Sequence, residues 1–395
     1  MTQKTIALAM SALMLAGVLA GCGQGSGAQA TPAPTPAAAA TTEYQWDFGT
    51  KNNSIDDLKQ PCDQQGTVVE LEYDTPAYAV NDLLGLDETL HKKVCVYLPY
   101  GYDESKQYNI LYLLHGTEGD TDGPMEEFWL KQWGDQTLPV LDNMIAQGLC
   151  DPVIVVTPTY YSRVEDHPLG EAEAKALAEK LGDSYIGSEG EGDELEQNIW
   201  PEYFGQELRN NIIPAVESQY STYANKDTSE ENLIATRDHR AFAGLSRGAM
   251  TVCRSGLIQN SDIISWFGSF SGVWTDFDRF QEAMEVTFKD YPINFWYNGN
   301  GRGDFALENH EEFRDQTLEQ LSDKFTDGEN YAFVTLRDGG HIPFRCLRRK
   351  NTGQQTDAHQ AQQQPEQACL DKGKGRAHSG SPFPGCSLAK KPCRQ

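Results

Sequence analysis

The stretch "AFAGLSRGAM", residues 241–250, places Ser246 between Gly244 and Gly248. A strand pattern precedes the serine and a helical pattern follows it. Glycines two residues before and after a serine leave room for a sharp strand-to-helix turn, which lifts the hydroxyl off the sheet. The stretch therefore predicts that Ser246 is a nucleophile. A serine that only caps the helix is the alternative, but it leaves the paired glycines without a role.

Strand and helix patterns alternate on both sides of this turn. The strand patterns are 67–73, 94–99, 108–114, 152–161, 239–246, 265–272, 291–299 and 330–341. The helical patterns are 135–149, 201–220, with a kink expected at Pro214, 247–258 and 306–325. This alternation predicts an α/β fold with a mostly parallel central sheet and helices on both faces.

A nucleophilic serine needs a histidine to take its proton and an acid to orient that histidine. His341 ends the last strand pattern behind two glycines. The other histidines after Ser246 lie in a helical pattern or in the polar C-terminal region, so His341 is the predicted general base. Asp304 follows a strand in the glycine-rich loop "NGNGRGDFA" and is the predicted acid, ahead of Glu308 and Asp338.

Acyl transfer also needs two hydrogen-bond donors for a tetrahedral oxyanion. The backbone N–H of Arg247, the residue after the nucleophile, is the first predicted donor. The second is the N–H of Thr117 in "LYLLHGTEGD", with Gly116 as the fallback, and His115 in the same loop is interpreted as structural.

Four aromatic residues lie in loops that follow strands on the side of Ser246. They are predicted to flank an acyl group, with packing as the alternative for each: Trp129, Tyr160, Tyr161 and Trp274. The sequence indicates no metal and no cofactor requirement.

Six blocks of the sequence resemble a known family. In order they are "VCVYLPYGYDESKQYNILYLLHG", "VIVVTPTYY", "FGQELRNNIIPAVESQYSTYA", "HRAFAGLSRGAM", "YNGNGRGDFA" and "GGH". They resemble the blocks of the α/β-hydrolase serine esterases grouped as carbohydrate esterase family one, also called the esterase D type, over residues 67–341.

The resemblance implies an α/β-hydrolase fold and a carboxylic ester hydrolase with the triad Ser246, Asp304 and His341. It also implies an acyl-enzyme on Ser246 and the release of ferulate or acetate from xylan-type plant polysaccharide. Its superfamily includes mycolyltransferases, siderophore-ester hydrolases and thioester hydrolases, so another ester is an alternative substrate. A catalytically silent surface lipoprotein that binds glycan or a partner is the alternative from another class.

The N-terminus indicates export to the outside of a bacterial cell. Residues 1–22 contain a lysine, a short apolar run and the ending Leu-Ala-Gly-Cys, which resembles a lipobox with lipidation at Cys22. Residues 23–43 are rich in Pro, Ala and Thr and are predicted to be an extended tether to the membrane. The formal charge of −26 argues against a nucleic-acid partner, because phosphates need a basic surface.

The predicted esterase domain spans residues 44–341. Within it, residues 162–199 are predicted to be a solvated acidic insertion near the rim of the site, in preference to a calcium loop. Residues 342–395 carry ten Lys/Arg and three Asp/Glu and no apolar period, whereas the family would continue into an amphipathic helix. A reading-frame error is one hypothesis for this tail, and a basic tail that contacts anionic cell-wall polymer is the other. Cys62 and Cys95 are considered as a disulfide pair, without an assignment of connectivity.

Overall fold

The computed structural model describes residues 58–117, 123–181, 193–336 and 340–341. Several predictions from the sequence lie outside these residues: the signal peptide with Cys22, the tether, the domain start near Tyr44 and the basic tail. Residues 182–192 of the predicted insertion also lie outside them.

Strands of the described residues form one eight-stranded sheet in the order β1-β2-β4-β3-β5-β6-β7-β8. They are β1 (Thr67–Pro76), β2 (Thr89–Leu98), β3 (Asn109–Leu114), β4 (Val153–Thr157), β5 (Arg240–Leu245), β6 (Trp266–Phe270), β7 (Phe295–Gly301) and β8 (Tyr331–Leu336). Strand β2 is antiparallel to both β1 and β4, and every other pairing is parallel. The predicted, mostly parallel sheet is confirmed.

Helices lie in most of the connections between the strands. They are α1 (Tyr78–Leu84), α2 (Gly134–Ala146), α3 (Glu171–Leu181), α4 (Asp193–Glu207), α5 (Ile213–Glu217), α6 (Glu230–Ala235), α7 (Arg247–Thr251), α8 (Phe277–Glu282) and α9 (Leu307–Gln320). Wider π-helical turns continue several of them, over Phe128–Gln132, Leu208–Ile212, Val252–Leu257 and Ala283–Thr287.

The helix predicted over 201–220 is interrupted just before Pro214. A proline has no N–H to donate, and its ring clashes with the carbonyl four residues earlier. The chain widens into the π-helical turn Leu208–Ile212 directly before α5, which begins at Ile213. The predicted kink is therefore a π-helical turn, and α4 begins at Asp193 rather than at 201.

The described part of the acidic insertion 162–199 has exposed acidic residues, among them Glu165, Glu171 and Glu179, and also a buried apolar side. Helix α3 buries Ala174 and Leu177, and the N-terminal half of α4 buries Ile199. The carboxylate of Glu196 is buried as well and accepts a hydrogen bond from the Leu169 N–H at 2.7 Å. Apolar residues spaced along each helix bury one side of it, although charged residues dominate the composition.

The core lies on both faces of the sheet because successive strand residues point to opposite sides. In β2, Val94 and Val96 belong to the larger cluster of buried residues, whereas Cys95 and Tyr97 belong to a smaller cluster on the other face. The Cys62–Cys95 pairing is contradicted, because both thiols are free and Cys95 lies inside this smaller cluster.

Candidate active site

Ser246 stands at the turn between β5 and α7. Its backbone has φ 56° and ψ −118°, in the region that favours glycine. Such a conformation costs on the order of 1–3 kcal/mol and persists only where the surroundings impose it. The Ser246 N–H donates to the Phe270 carbonyl at 2.8 Å, which anchors the turn to the end of β6.

The two glycines are required by close approach of the backbone. A Cβ on Gly244 would lie 2.4 Å from the carbonyl carbon of Gly248, and a Cβ on Gly248 would lie 2.3 Å from the His115 carbonyl oxygen. Any larger residue at either position would push α7 away from β3 and β5. The glycines therefore allow the turn that holds the Ser246 hydroxyl at the edge of the sheet.

The side chains of Ser246, His341 and Asp304 form one hydrogen-bonded row. His341 Nε2 lies 2.8 Å from Ser246 Oγ, and His341 Nδ1 lies 2.8 Å from Asp304 Oδ1. Asp304 and Ser246 are buried, whereas the His341 side chain is 27% exposed. The structure thus brings together the three residues that the sequence predicted as nucleophile, base and acid.

The Asp304 carboxylate is held in its ionised form. Burial is the strongest single influence and raises its pKa, but hydrogen bonds from His341 and from the Ala306 N–H at 2.9 Å oppose it. The net result is a pKa below the usual value. An ionised carboxylate accepts the Nδ1–H of His341 and leaves the Nε2 lone pair directed at the Ser246 hydroxyl.

The loop after β3 lies against the nucleophile. A Cβ on Gly116 would lie 3.4 Å from Ser246 Cβ, so the chain at Gly116 runs beside the serine. His115 secures this loop, because its ring contacts the Gly116 carbonyl at 2.6 Å and Thr159 Oγ1 at 2.8 Å. Burial lowers the pKa of His115 to about 3, so the ring is neutral and has a structural part.

Arg247 begins α7 directly after the serine. Its guanidinium donates to Asn198 Oδ1 at 2.7 Å. Asn198 lies in α4, within the part of the chain that was predicted to be an acidic insertion. This part therefore lies beside the Ser246 turn, as expected for a segment at the rim of a site.

Two of the four predicted aromatic contacts are contradicted by burial. Trp129 and Tyr160 lie in the core, where their polar atoms donate to the carbonyls of Leu114 at 3.0 Å and Gly116 at 2.9 Å. These two side chains support the end of β3 and the loop that follows it, and their burial leaves no ring face accessible to a ligand.

Tyr161 and Trp274 are half-buried and lie in different places. Tyr161 lines an open depression of about 320 Å³ whose other walls are Glu72, His91, Lys92, Lys93, Glu126 and Thr159. Trp274 lies next to the hydrogen-bonded row, with its ring centroid 6.3 Å from that of His341.

Phe305 was missed by the sequence analysis. It is 75% exposed and stacks on His341 with centroids 4.2 Å apart. Its ring lies 5.9 Å from that of Trp274, so the two aromatic residues form a surface beside the histidine. Its position directly after Asp304 could have identified it from the sequence, because an aromatic residue in an exposed loop has no packing role there.

A family model described as "Putative esterase" matches residues 90–291, just over half of the chain. The chain belongs to this esterase family. With the α/β-hydrolase fold described above, the protein is a serine esterase, and the resemblance drawn from the sequence is confirmed.

The esterase is similar to several characterised proteins. Endo-1,4-beta-xylanase Y of Acetivibrio thermocellus is 33% identical over 217 residues, which are 55% of this chain and 15% of the xylanase. The chain thus spans a small part of that relative. A serine-to-alanine mutant of the feruloyl esterase module of Clostridium thermocellum, solved with sinapinate, is 26% identical with a TM-score of 0.52, over 72% of this chain and 86% of the module. A ferulic acid esterase from Anaeromyces mucronatus, solved with ferulic acid, is 18% identical with a TM-score of 0.48, over 73% and 90% of the two chains.

The described residues contain no group of three or more His, Cys, Asp or Glu side chains arranged to hold a metal ion. None of the helices in this part of the chain has the length and apolar character needed to cross a bilayer.

Proposed function

We propose that the esterase releases ferulate or acetate from xylan-type plant polysaccharide through an acyl-enzyme on Ser246. The observation that carries this proposal is the row of two 2.8 Å contacts from Ser246 Oγ through His341 to Asp304. This geometry is the one that a serine nucleophile, a general base and an orienting acid require.

The reaction proceeds in two half-reactions. Ser246 Oγ attacks the ester carbonyl carbon while His341 Nε2 takes its proton, and the N–H groups of Arg247 and Thr117, or of Gly116 in its place, stabilise the oxyanion. The C–O bond to the sugar then breaks, and His341 returns the proton to the departing sugar oxygen. Water then attacks the acyl carbon while His341 Nε2 takes its proton. The bond from Ser246 Oγ to the acyl carbon breaks, and His341 returns the proton to Ser246 Oγ as the free acid leaves.

An aromatic acyl group fits the surroundings of His341. Phe305 and Trp274 present ring surfaces beside the histidine, one of them largely exposed. Planar phenolic acids bind such surfaces by stacking and by burial of apolar area. The names of the feruloyl esterase module and of xylanase Y support a phenolic ester on xylan as the substrate.

The proposed location is outside the cytoplasm, at the surface or in the periplasm of a bacterium. The signal pattern of residues 1–22, the lipobox-like cysteine Cys22 and the tether 23–43 support a lipoprotein held at the membrane by its lipid. A polymeric substrate that cannot enter a cell fits this location.

The test measures labelling by a fluorophosphonate probe and release of ferulate and acetate from feruloylated arabinoxylan and acetylated xylan, with the full-length chain. We expect Ser246→Ala to lose both labelling and release, because it removes the oxygen that is the proposed nucleophile. Ser229→Ala is the matched control, because Ser229 is exposed at the start of α6. Labelling that persists in Ser246→Ala would refute the proposed nucleophile.

The acyl group is tested separately at Phe305. We expect Phe305→Ala to raise KM for feruloyl esters and to leave KM for acetyl esters unchanged, because only the phenolic ring stacks. Tyr100→Ala is the control, because Tyr100 is another exposed aromatic residue, 57% exposed, in the turn after β2. An equal change for both ester classes would count against a phenolic acyl group on this surface.

A further inference from the structure

The second oxygen of the Asp304 carboxylate has its own partner. Oδ1 lies against His341 and the Ala306 N–H, whereas Oδ2 accepts a hydrogen bond from Asn300 Nδ2 at 3.0 Å. The Asn300 side chain belongs to the last part of β7 and is 1% exposed. A carboxylate bound at both oxygens cannot rotate about its terminal bond without losing a hydrogen bond.

The Asn300 amide is held in turn by a second buried histidine. His310, on α9, is fully buried, and its Nδ1 makes a short hydrogen bond with Asn300 Oδ1. Its Nε2 lies 2.8 Å from Oδ1 of Asn298, two residues before Asn300 and on the same face of β7. Phe333 packs its ring against the histidine at 4.9 Å, so His310 has one position.

Hydrogen-bond donors and acceptors determine the direction of this chain of contacts. An ionised carboxylate only accepts, so Asn300 presents its NH₂ to Asp304 and its carbonyl oxygen to His310. His310 Nδ1 therefore carries the proton. The Gly272 N–H also points at this nitrogen, at 3.3 Å, and it is the one hydrogen bond that this tautomer leaves unmade. Burial lowers the pKa of His310 to about 3, so the ring is neutral and carries one proton. With that proton on Nδ1, Nε2 accepts only when the Asn298 amide turns to present its Nδ2 in place of Oδ1.

We propose that Asn300 and His310 are positioning residues for the catalytic acid. His310 fixes the Asn300 amide with its NH₂ toward Asp304, and that NH₂ holds Oδ2 so that Oδ1 faces His341. Neither residue touches the substrate. The inference rests on the proposed function, since it assigns a part to residues behind the proposed triad.

The ionisable groups around the Asn300 amide come from three elements. Asp304 lies in the loop after β7, His310 and Arg314 lie on α9, and His341 follows β8. The positive charge of Arg314 helps to lower the pKa of His310, and its guanidinium carbon lies 4.7 Å from the centroid of the Phe333 ring. A new carboxyl group at position 300 would therefore meet Asp304 as its nearest charge.

Asn300→Asp tests the donor with little change in shape. The introduced carboxyl can donate a hydrogen bond to Asp304 only while it is protonated. Because two adjacent carboxylates repel each other, the pair holds one proton and the pKa of one of the two groups is raised. We expect kcat for this variant to approach the wild-type value at acidic pH. As the pH rises, it falls by about 10- to 100-fold relative to wild type, the loss expected from a misplaced catalytic group.

Asn260→Asp is the matched control. Asn260 is also 1% exposed, and its NH₂ donates to the carbonyls of Gly205 and Ser255, away from the triad. We expect the folded fraction of this variant to keep the pH profile of wild type. An Asn300→Asp profile parallel to that of wild type at every pH would overturn the inference.

A second pair of variants decides the matter if Asn300→Asp does not fold. His310→Asn keeps an N–H donor close to the place of Nδ1, whereas His310→Leu removes it at similar volume. We expect His310→Leu to lower kcat about tenfold with little change in KM, and His310→Asn to restore most of the loss. Equal kcat values for the two variants would overturn the inference.

The rate of fluorophosphonate labelling at Ser246 serves as a second readout in all variants. It reports on the triad without any assumption about the ester. Wild-type protein that labels but releases neither acid would refute the proposed substrate and leave the Asn300 and His310 comparison intact. Wild-type protein that does not label would refute the proposed function itself.

Discussion

Single glycines decide whether the Ser246 turn can form. A Cβ on Gly248 would lie too close to the His115 carbonyl oxygen, and a Cβ on Gly244 would lie too close to the backbone of Gly248. The atoms that such a Cβ would contact belong to the backbone, so they cannot move aside as the end of a flexible side chain could. The strained conformation of Ser246 therefore depends on residues that have no side chain of their own.

We predict that Gly248→Ala lowers both stability and activity. The added methyl group would lie 2.3 Å from the His115 oxygen, so α7 must shift away from β3. Overpacking of this kind costs about 1–3 kcal/mol, and the shift also moves the Arg247 N–H. Urea unfolding and kcat for a simple aryl ester measure the two effects.

Gly134→Ala serves as the control for this substitution. Its Cβ would lie 3.6 Å from the Leu138 side chain, an ordinary contact at the start of α2. We expect stability and kcat close to wild type. Equal destabilisation by the two substitutions would show that the close approach at Gly248 is not the cause.

At the scale of elements, an ionic cluster joins three helical segments behind the site. Glu202 on α4 contacts Arg254, in the π-helical turn after α7, at 3.2 Å and Arg279 on α8 at 2.9 Å. Arg254 also donates to the Trp274 carbonyl at 2.6 Å. The cluster therefore links the helix that follows Ser246 to the loop that carries Trp274.

We predict that Glu202→Gln destabilises the protein by about 3 kcal/mol, because it removes the Glu202 charge from beside the buried guanidinium of Arg254. Both side chains of this pair are at most 3% exposed. Chemical unfolding at neutral pH measures the loss. Glu230→Gln is the control, because Glu230 is 72% exposed and its partner Arg209 keeps Asp262. A loss below 1 kcal/mol in Glu202→Gln would mean that the cluster contributes little net stability.

At the scale of the whole molecule, the parallel sheet collects distant residues at one edge. Ser246 and His341 are 95 residues apart, and Asp304 and His341 are 37 apart, yet each pair is in contact. Parallel strands connected by helices all end at the same edge, so the loops that follow them meet there. The site depends on this arrangement of the entire sheet.

Two fully buried neutral histidines make the stability of the fold depend on pH. Burial lowers the pKa of His115 and His310 to about 3, against 6.5 for an ordinary histidine. Between these values the unfolded chain binds protons that the folded protein does not, so stability falls as the pH drops below about 6.5. At pH 5 the expected loss is about 2 kcal/mol for each histidine.

Unfolding free energies of wild type and His115→Gln at pH 7 and pH 5 test this prediction. We expect the variant to be less stable at pH 7, because it lacks the ring contacts of His115. Its further loss between pH 7 and pH 5 should be smaller than that of wild type by about 2 kcal/mol. Identical pH dependence in the two proteins would contradict the prediction.

Local patterns in the sequence predicted those features that depend on neighbouring residues. Strand β5, the turn at Ser246 and the parallel sheet followed from apolar runs and from paired glycines. The predictions for Trp129 and Tyr160 were wrong, because loop position alone does not show which way a ring points. The charge composition of the acidic insertion also hid the apolar side of α3. Lipidation at Cys22 and the nature of residues 342–395 stay predictions.

By itself, the sequence determined the fold class and the candidate nucleophile, base and acid. These follow from the order of strands and helices along the chain and from the residue types in the loops between them. Only the tertiary structure decided that Phe305 lies on His341 and that Asn300 and His310 stand behind Asp304. These contacts join β7, α9 and the segment after β8, and their hydrogen bonds exist only once burial has removed water. A linear pattern contains the residues, but packing decides which of their atoms meet.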